Sequence, residues 1–243
     1  MINVGKLNKF AVYLLAFSFI LVVATACLSL MPGAPLKISL ATVCDGSGNC
    51  GDSIALLEGG IYAGSESETF SDLLDFLKSH SGIDTACLLS EGGNVDAAVA
   101  LASFIHHEGI NTCIAAKYKL ADGSEKAGYC QSSCVWVLLA GKESVLYDNA
   151  ASLGFHAARK QDHFNNIKGI DFDALLKFAG LIKSVARDRS DQNKLYGLLV
   201  WSFDQGASSV TTNCSAQQVQ EHYPFFSNLK DTRDIKYQDC GLR

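Results

Sequence analysis

The chain has 243 residues, 48% of them hydrophobic, enough for one large domain with a substantial core. Its formal net charge of −5 argues against a nucleic-acid partner, because binding phosphates needs a basic surface. Three prolines, with no repeat or low-complexity stretch, exclude a rigid Pro-rich linker.

The N-terminus, residues 1–31, reads as a targeting segment set apart from the fold. Lys6 and Lys9 form a positive flank to Phe10–Met31, an uncharged run of 22 residues, long enough to span a bilayer as a helix. Ala24-Thr25-Ala26 ahead of Cys27 has the small-residue character of a signal-peptidase site. It also partly resembles a lipoprotein signal, in which Cys27 would become the acylated N-terminus. Cleaved, lipidated and membrane-anchored forms stay open. All of them place residues 32–243 outside the cytoplasm, in the periplasm or held by the N-terminal segment on the outer side of the inner membrane.

Nine cysteines agree with export. Setting Cys27 aside leaves eight, an even number that suggests disulfides in an oxidising compartment. Cys44 and Cys50 bracket a short Gly-rich loop that a bridge could close. Cys130 and Cys134 are either bridged or free thiols one helical turn apart. Cys87, within an apolar strand pattern, reads as a buried small hydrophobe. No Cys/His spacing supports zinc, and neither a metal nor a cofactor is expected.

After the targeting segment the elements alternate. Ile54–Glu58 is predicted as a short strand followed by Gly59-Gly60. Thr69–Ser79 carries Phe70, Leu73, Leu74 and Leu77 at helical spacing. Thr85–Leu89 reads as a buried strand running into Ser90-Glu91-Gly92-Gly93, and Asn94 can cap a helix ended by Gly109. Thr112–Ala116 reads as a strand, Lys117–Gly128 as a long polar loop, Ser132–Ala140 as a helix and Ser152–His156 as a strand. Asp171–Arg187 is an amphipathic helical pattern, Ser215 and Gln218 can form a capping box, and Lys230–Arg243 reads as a polar tail. Strands alternating with helices imply an α/β fold with a largely parallel sheet.

The chemistry concentrates between Tyr129 and His156. Ser132 is a candidate nucleophile and His156 a candidate base, 24 positions apart, so a helix and a strand must fold back on each other to join them. Gly92-Gly93 supplies backbone N–H groups that can approach a ligand closely, as an oxyanion hole requires. His106-His107-Glu108 reads as a solvated helix end, Lys183 as a surface lysine, and Trp136 and Trp201 as core.

Four stretches together carry a resemblance. Ile54–Gly64 (IALLEGGIYAG), Leu89–Gly93 (LSEGG), Cys130–Cys134 (CQSSC) and Leu153–His156 (LGFH) are similar in order and spacing to motifs of the Clp-protease/crotonase superfamily. The nearest likeness is to an exported bacterial branch related to the Clp protease proteolytic subunit, and it covers roughly Ile54–Ala158. It implies a ββα superhelix with a largely parallel sheet flanked by helices. It also implies Ser132 as nucleophile, His156 as general base, and the N–H groups of Gly93 and Ser133 as the oxyanion hole. The implied substrate is a peptide or protein, and relatives assemble as homo-oligomers.

Two departures stand out. The superfamily's Ser-Pro-Gly-Gly is Ser-Glu-Gly-Gly here, which puts Glu91 beside the oxyanion site. The position matching the third, acidic member of the triad falls near Thr211. Asn213 is the substitute candidate, and Asp204 lies a few residues upstream. The expected function is an exported serine hydrolase, a peptidase; the alternative is a catalytically inactive relative that binds or assembles.

Overall fold

The computed structural model describes residues 36–242 except 46, 162–165, 209 and 232. Residues 1–31, expected as a targeting segment, and with them Cys27, lie outside the described residues. Among the described residues, no helix is long and apolar enough to cross a membrane.

The fold is α/β, built on an eight-stranded sheet. Strands β2 (Cys50–Glu58), β3 (Thr85–Leu89), β4 (Asn111–Ile114), β8 (Ser144–Leu146) and β13 (Asn228–Leu229) pair in parallel, in the order β2-β3-β4-β8-β13. β1 (Lys37–Cys44), β5 (Lys117–Leu120) and β6 (Glu125–Ala127) extend the other edge with antiparallel pairs. All five residues of β3 are buried, as expected for a parallel strand covered on both faces. Alternate residues feed two cores. Ala55, Leu57, Ala86, Leu88 and Ile114 pack into the larger cluster, while Ile54, Leu56, Cys87, Leu89 and Cys113 pack into a second one.

The helices are α1 (Glu66–Ser79), α2 (Val95–His107), α3 (Ser133–Leu138), α4 (Phe172–Val185), α5 (Arg189–Asp204) and α6 (Ala216–His222). Their starts are chemically marked. Asn94 Oδ1 accepts from the Ala97 N–H at 3.0 Å, and Ser215 with Gln218 forms the full capping box that the sequence predicts. A second, three-stranded sheet positions the site. In it β9 (Ser152–Phe155) lies between β7 (Tyr129–Gln131), parallel to it, and β12 (Thr212–Ser215), antiparallel to it. A bridge between Ser90 and Cys130 ties this sheet to the end of β3. β10 (Arg159–Gln161) and β11 (Ile167–Ile170) form a separate hairpin.

Three readings of the sequence are corrected. Lys117–Gly128 is the β5–β6 hairpin, turned at Asp122-Gly123, rather than a loop. Alternation of Lys117, Tyr118, Lys119 and Leu120 drives it, because it sends Tyr118 inward to full burial. Cys87 is bridged to Cys113, directly opposite on β4, and is not a free hydrophobe. The polar tail is docked: Cys240 is bridged to Cys214, and the Trp201 Nε1–H donates to the Gly241 carbonyl at 3.0 Å. The remaining pairs, Cys44–Cys50 and Cys130–Cys134, bring the disulfides to four.

Tyr118 gives a stability test. Its hydroxyl accepts from the Ala115 N–H at 3.1 Å and donates to the Leu88 carbonyl at 3.2 Å. Tyr118→Phe leaves both backbone groups buried without that partner, so the unfolding free energy is expected to fall by about 1–3 kcal/mol in urea titration. No measurable change would show that neither bond matters.

Candidate active site

Parallel pairing of β7 with β9 solves the separation between Ser132 and His156. The register sets Tyr129 against Ser152, Cys130 against Leu153 and Gln131 against Gly154. Ser132 and His156 therefore both emerge at the carboxyl ends of neighbouring strands. Ser132, Ser133, Gly93 and His156 all line one cavity of about 860 Å³, at the edge where open α/β sheets place their ligands.

Ser132 occupies the turn between β7 and α3 with φ 55° and ψ −127°, the only positive φ outside glycine among the described residues. Such a conformation costs on the order of 1–3 kcal/mol and persists only where the surroundings enforce it. Its N–H donates to the Gly154 carbonyl at 2.7 Å, and its carbonyl accepts from the Val135 N–H at 3.1 Å. Gly92 closes over this turn at φ 81°. A Cβ there would stand 2.5 Å from the Gln131 carbonyl oxygen and 2.9 Å from Ser132 Cβ, so only glycine admits the approach.

The N–H groups of Gly93 and Ser133, expected from the resemblance as oxyanion donors, have a specific arrangement. At the first position of α3, the Ser133 N–H has no intrahelical acceptor. The Gly93 N–H donates to Ser133 Oγ at 2.8 Å, and that hydroxyl in turn donates to the Gly93 carbonyl at 3.3 Å. An arriving oxyanion therefore competes with Ser133 Oγ for the Gly93 N–H.

His156 is oriented by the backbone. Its Nδ1 lies 2.7 Å from the Ala157 carbonyl oxygen. A carbonyl only accepts, so Nδ1 carries the proton and the Nε2 lone pair of the neutral ring stays available. Burial holds the imidazole pKa below its ordinary value, with the Arg159 guanidinium acting in the same direction. No hydrogen bond joins the ring to Ser132 or to a carboxylate among the described residues.

Asn213 sits on β12 opposite Gly154 and is off the cavity lining. Its Oδ1 accepts from Thr211 Oγ1 at 3.0 Å and from Gln131 Nε2 at 3.5 Å. Asp204 is exposed at the end of α5. Glu91 is exposed and lines the cavity.

Trp136 is buried in the core, as the sequence predicts, and also reaches the cavity, where it and Phe178 of α4 form an aromatic wall with ring centroids 5.2 Å apart. Phe178 and Lys177 escaped the sequence reading. Lys177 also lines the cavity, whereas Lys183 is exposed and does not. Lys177 Nζ lies 2.5 Å from Asp96 Oδ1, and that bond raises its pKa, so the amine stays charged and is unsuited to serve as a base. Among the described residues no group of three or more His, Cys, Asp and Glu side chains is placed to hold a metal ion. His106 and His107 are exposed at the end of α2, as the sequence predicts.

No protein-family model matches the chain, and no curated protein sequence matches it. Solved structures do. Two are variants of 1510-N, a membrane-bound stomatin-specific protease, each 12% identical and covering 74% of this chain. A serine-to-alanine variant gives a TM-score of 0.50 over 79% of that chain. A lysine-to-alanine variant in complex with a substrate peptide gives 0.51 over 75%. A third, the catalytic domain of the ClpP protease from Plasmodium falciparum, is 14% identical, covers 75% of this chain and 86% of that one, and has a TM-score of 0.48, a level that carries no weight. At these identities the likeness shows the fold alone, the α/β arrangement with a mostly parallel central sheet shared with the 1510-N protease.

The histidine is directly measurable. Because burial favours the neutral ring, NMR titration of the His156 ring is expected to give a midpoint below about 6.5. A midpoint at or above that value would mean that the ring is solvated or paired with an acid.

Proposed function

We propose that this protein is an exported serine hydrolase, a peptidase acting on peptide or protein substrates. The carrying observation is Ser132 on an enforced left-handed turn, facing the same cavity as a half-buried His156 whose Nδ1–H is fixed by a backbone carbonyl. His156 Nε2 takes the Ser132 Oγ proton as Oγ attacks the carbonyl carbon. The N–H groups of Gly93 and Ser133 hold the resulting oxyanion, with the Gly93 N–H leaving Ser133 Oγ for it. His156 then protonates the leaving amine and afterwards activates the water that releases the acyl-enzyme. The missing Ser132–His156 hydrogen bond forms when substrate arrives, as catalytic contacts often tighten only in the complex.

The Ala157 carbonyl does the orienting that an acid does elsewhere. Asn213 contributes through Gln131 and the β9 backbone beneath the histidine. Four disulfides support an oxidising compartment, consistent with residues 1–31 acting as a signal peptide, a membrane anchor or a lipoprotein signal acylated at Cys27. A peptide substrate is supported by the peptide-bound structure of a protein of like fold, and assembly into a homo-oligomer follows from the superfamily resemblance.

The test is labelling of the full-length protein with a fluorophosphonate probe. Wild type is expected to label, Ser132→Ala to lose labelling entirely, and His156→Ala to slow it by about 100-fold or more, each with an unchanged melting temperature. Folded wild-type protein that does not label would overturn the hydrolase and favour a binding protein.

A further inference from the structure

We infer that the Cys130–Cys134 disulfide is a positioning element for the Ser132 nucleophile: it holds the serine in its left-handed conformation, so that the site assembles only in the oxidised protein. The inference rests on the reading of Ser132 as nucleophile.

The bridge joins the residue two before Ser132, on β7, to the residue two after it, on α3, with Cα atoms 5.4 Å apart. Both cysteines are fully buried. The strand side of the turn is well held, since the Gln131 N–H donates to the Ser90 carbonyl at 2.9 Å and the Ser90 N–H to the Tyr129 carbonyl at 3.2 Å. The helix side is held by packing: all six residues of α3 are buried, and the Gly93 N–H donates to Ser133 Oγ at 2.8 Å. A six-residue helix depends on such tertiary support, having little stability of its own. Only the disulfide links the two sides covalently across the residue that carries the strain.

The other three bridges lie elsewhere. Cys44–Cys50 closes the β1–β2 turn, Cys87–Cys113 crosses between β3 and β4, and Cys214–Cys240 pins the tail; none of these spans Ser132. Cys130–Cys134 spans a sequence separation of 4 against 26 for the last two, so it constrains the unfolded chain least among these and acts chiefly on native geometry. Oxidation is a thiol–disulfide exchange. The two thiols give up two electrons and two protons, and an oxidised dithiol carrier accepts them as its own disulfide becomes a dithiol. Chain still in a reducing cytoplasm would therefore hold a relaxed Ser132, and activity would follow oxidation outside.

The experiment uses full-length protein and pairs the Cys130→Ala/Cys134→Ala double variant with a Cys44→Ala/Cys50→Ala control. Fluorophosphonate labelling is expected to be about 100-fold slower in the first and within about twofold of wild type in the second. Melting temperatures are then compared with and without Ser132→Gly, because glycine adopts the turn without strain. Loss of the 130–134 bridge is expected to lower the melting temperature about half as much with Ser132 in place as in the Ser132→Gly background, because relaxation of the serine returns strain that glycine never carried. Undiminished labelling, an equal melting loss in both backgrounds, or failure to fold in both overturns it. Wild-type protein that never labels would defeat the hydrolase reading, while the melting comparison would still decide the role of the bridge.

Discussion

The left-handed backbone at Ser132 is the constraint from which the rest of the site follows. A serine at φ 55° aims its hydroxyl away from the path that a regular strand-to-helix connection would give it, and the conformation is held from several directions. The Gly154 carbonyl takes the Ser132 N–H, the end of β3 grips the strand through Ser90, and Gly92 lies close enough that no side chain fits there. The restraints come from two segments, β9 and the turn after β3. A change in either reaches Ser132.

The histidine is governed by a different balance. Three effects could tune its ring: an acid at Nδ1, burial, or nearby charge. The first is missing, and its geometric part is taken by the Ala157 carbonyl, which fixes the tautomer without adding negative charge. Burial is the largest effect and favours the neutral ring, as does Arg159, while the bond to the Ala157 carbonyl favours the charged one. The result is a ring that is neutral and protonated on Nδ1 at neutral pH; acting as a base, it would have less stabilisation for the imidazolium than an acid would supply. Lys177, which also lines the cavity, is held charged by its bond to Asp96 and so is unsuited to act as a base.

Much of the frame was legible in the sequence because the signals were local. The apolar run Thr85–Leu89, the Asn94 cap and the Ser215–Gln218 capping box each depend on residues within a few positions of one another. What was missed depended on partners far along the chain. β1 is recognisable only once β2 and β5 flank it, and β5–β6 looked polar because one face of the hairpin is solvated while Tyr118 fills the other. The site followed the same division. Ser132, His156, Gly93 and Ser133 were picked out by motif, yet strands of three or four residues do not announce their register, so the pairing that brings Ser132 and His156 together was invisible. Lys177 could not be told from Lys183 without knowing which face of α4 turns to the cavity. That Ser133 Oγ occupies the Gly93 N–H is likewise a property of the fold alone.

The most direct measurement of the central claim is a crystal structure of the oxidised protein with a peptide boronate, an electrophile that mimics the tetrahedral intermediate. The account expects a covalent bond from Ser132 Oγ to boron, Ser132 still at positive φ, and one boronate oxygen accepting from the Gly93 and Ser133 N–H groups with Ser133 Oγ displaced. A boronate that stays unbound, or a Ser132 relaxed to ordinary helical or strand backbone in the oxidised protein, would contradict it.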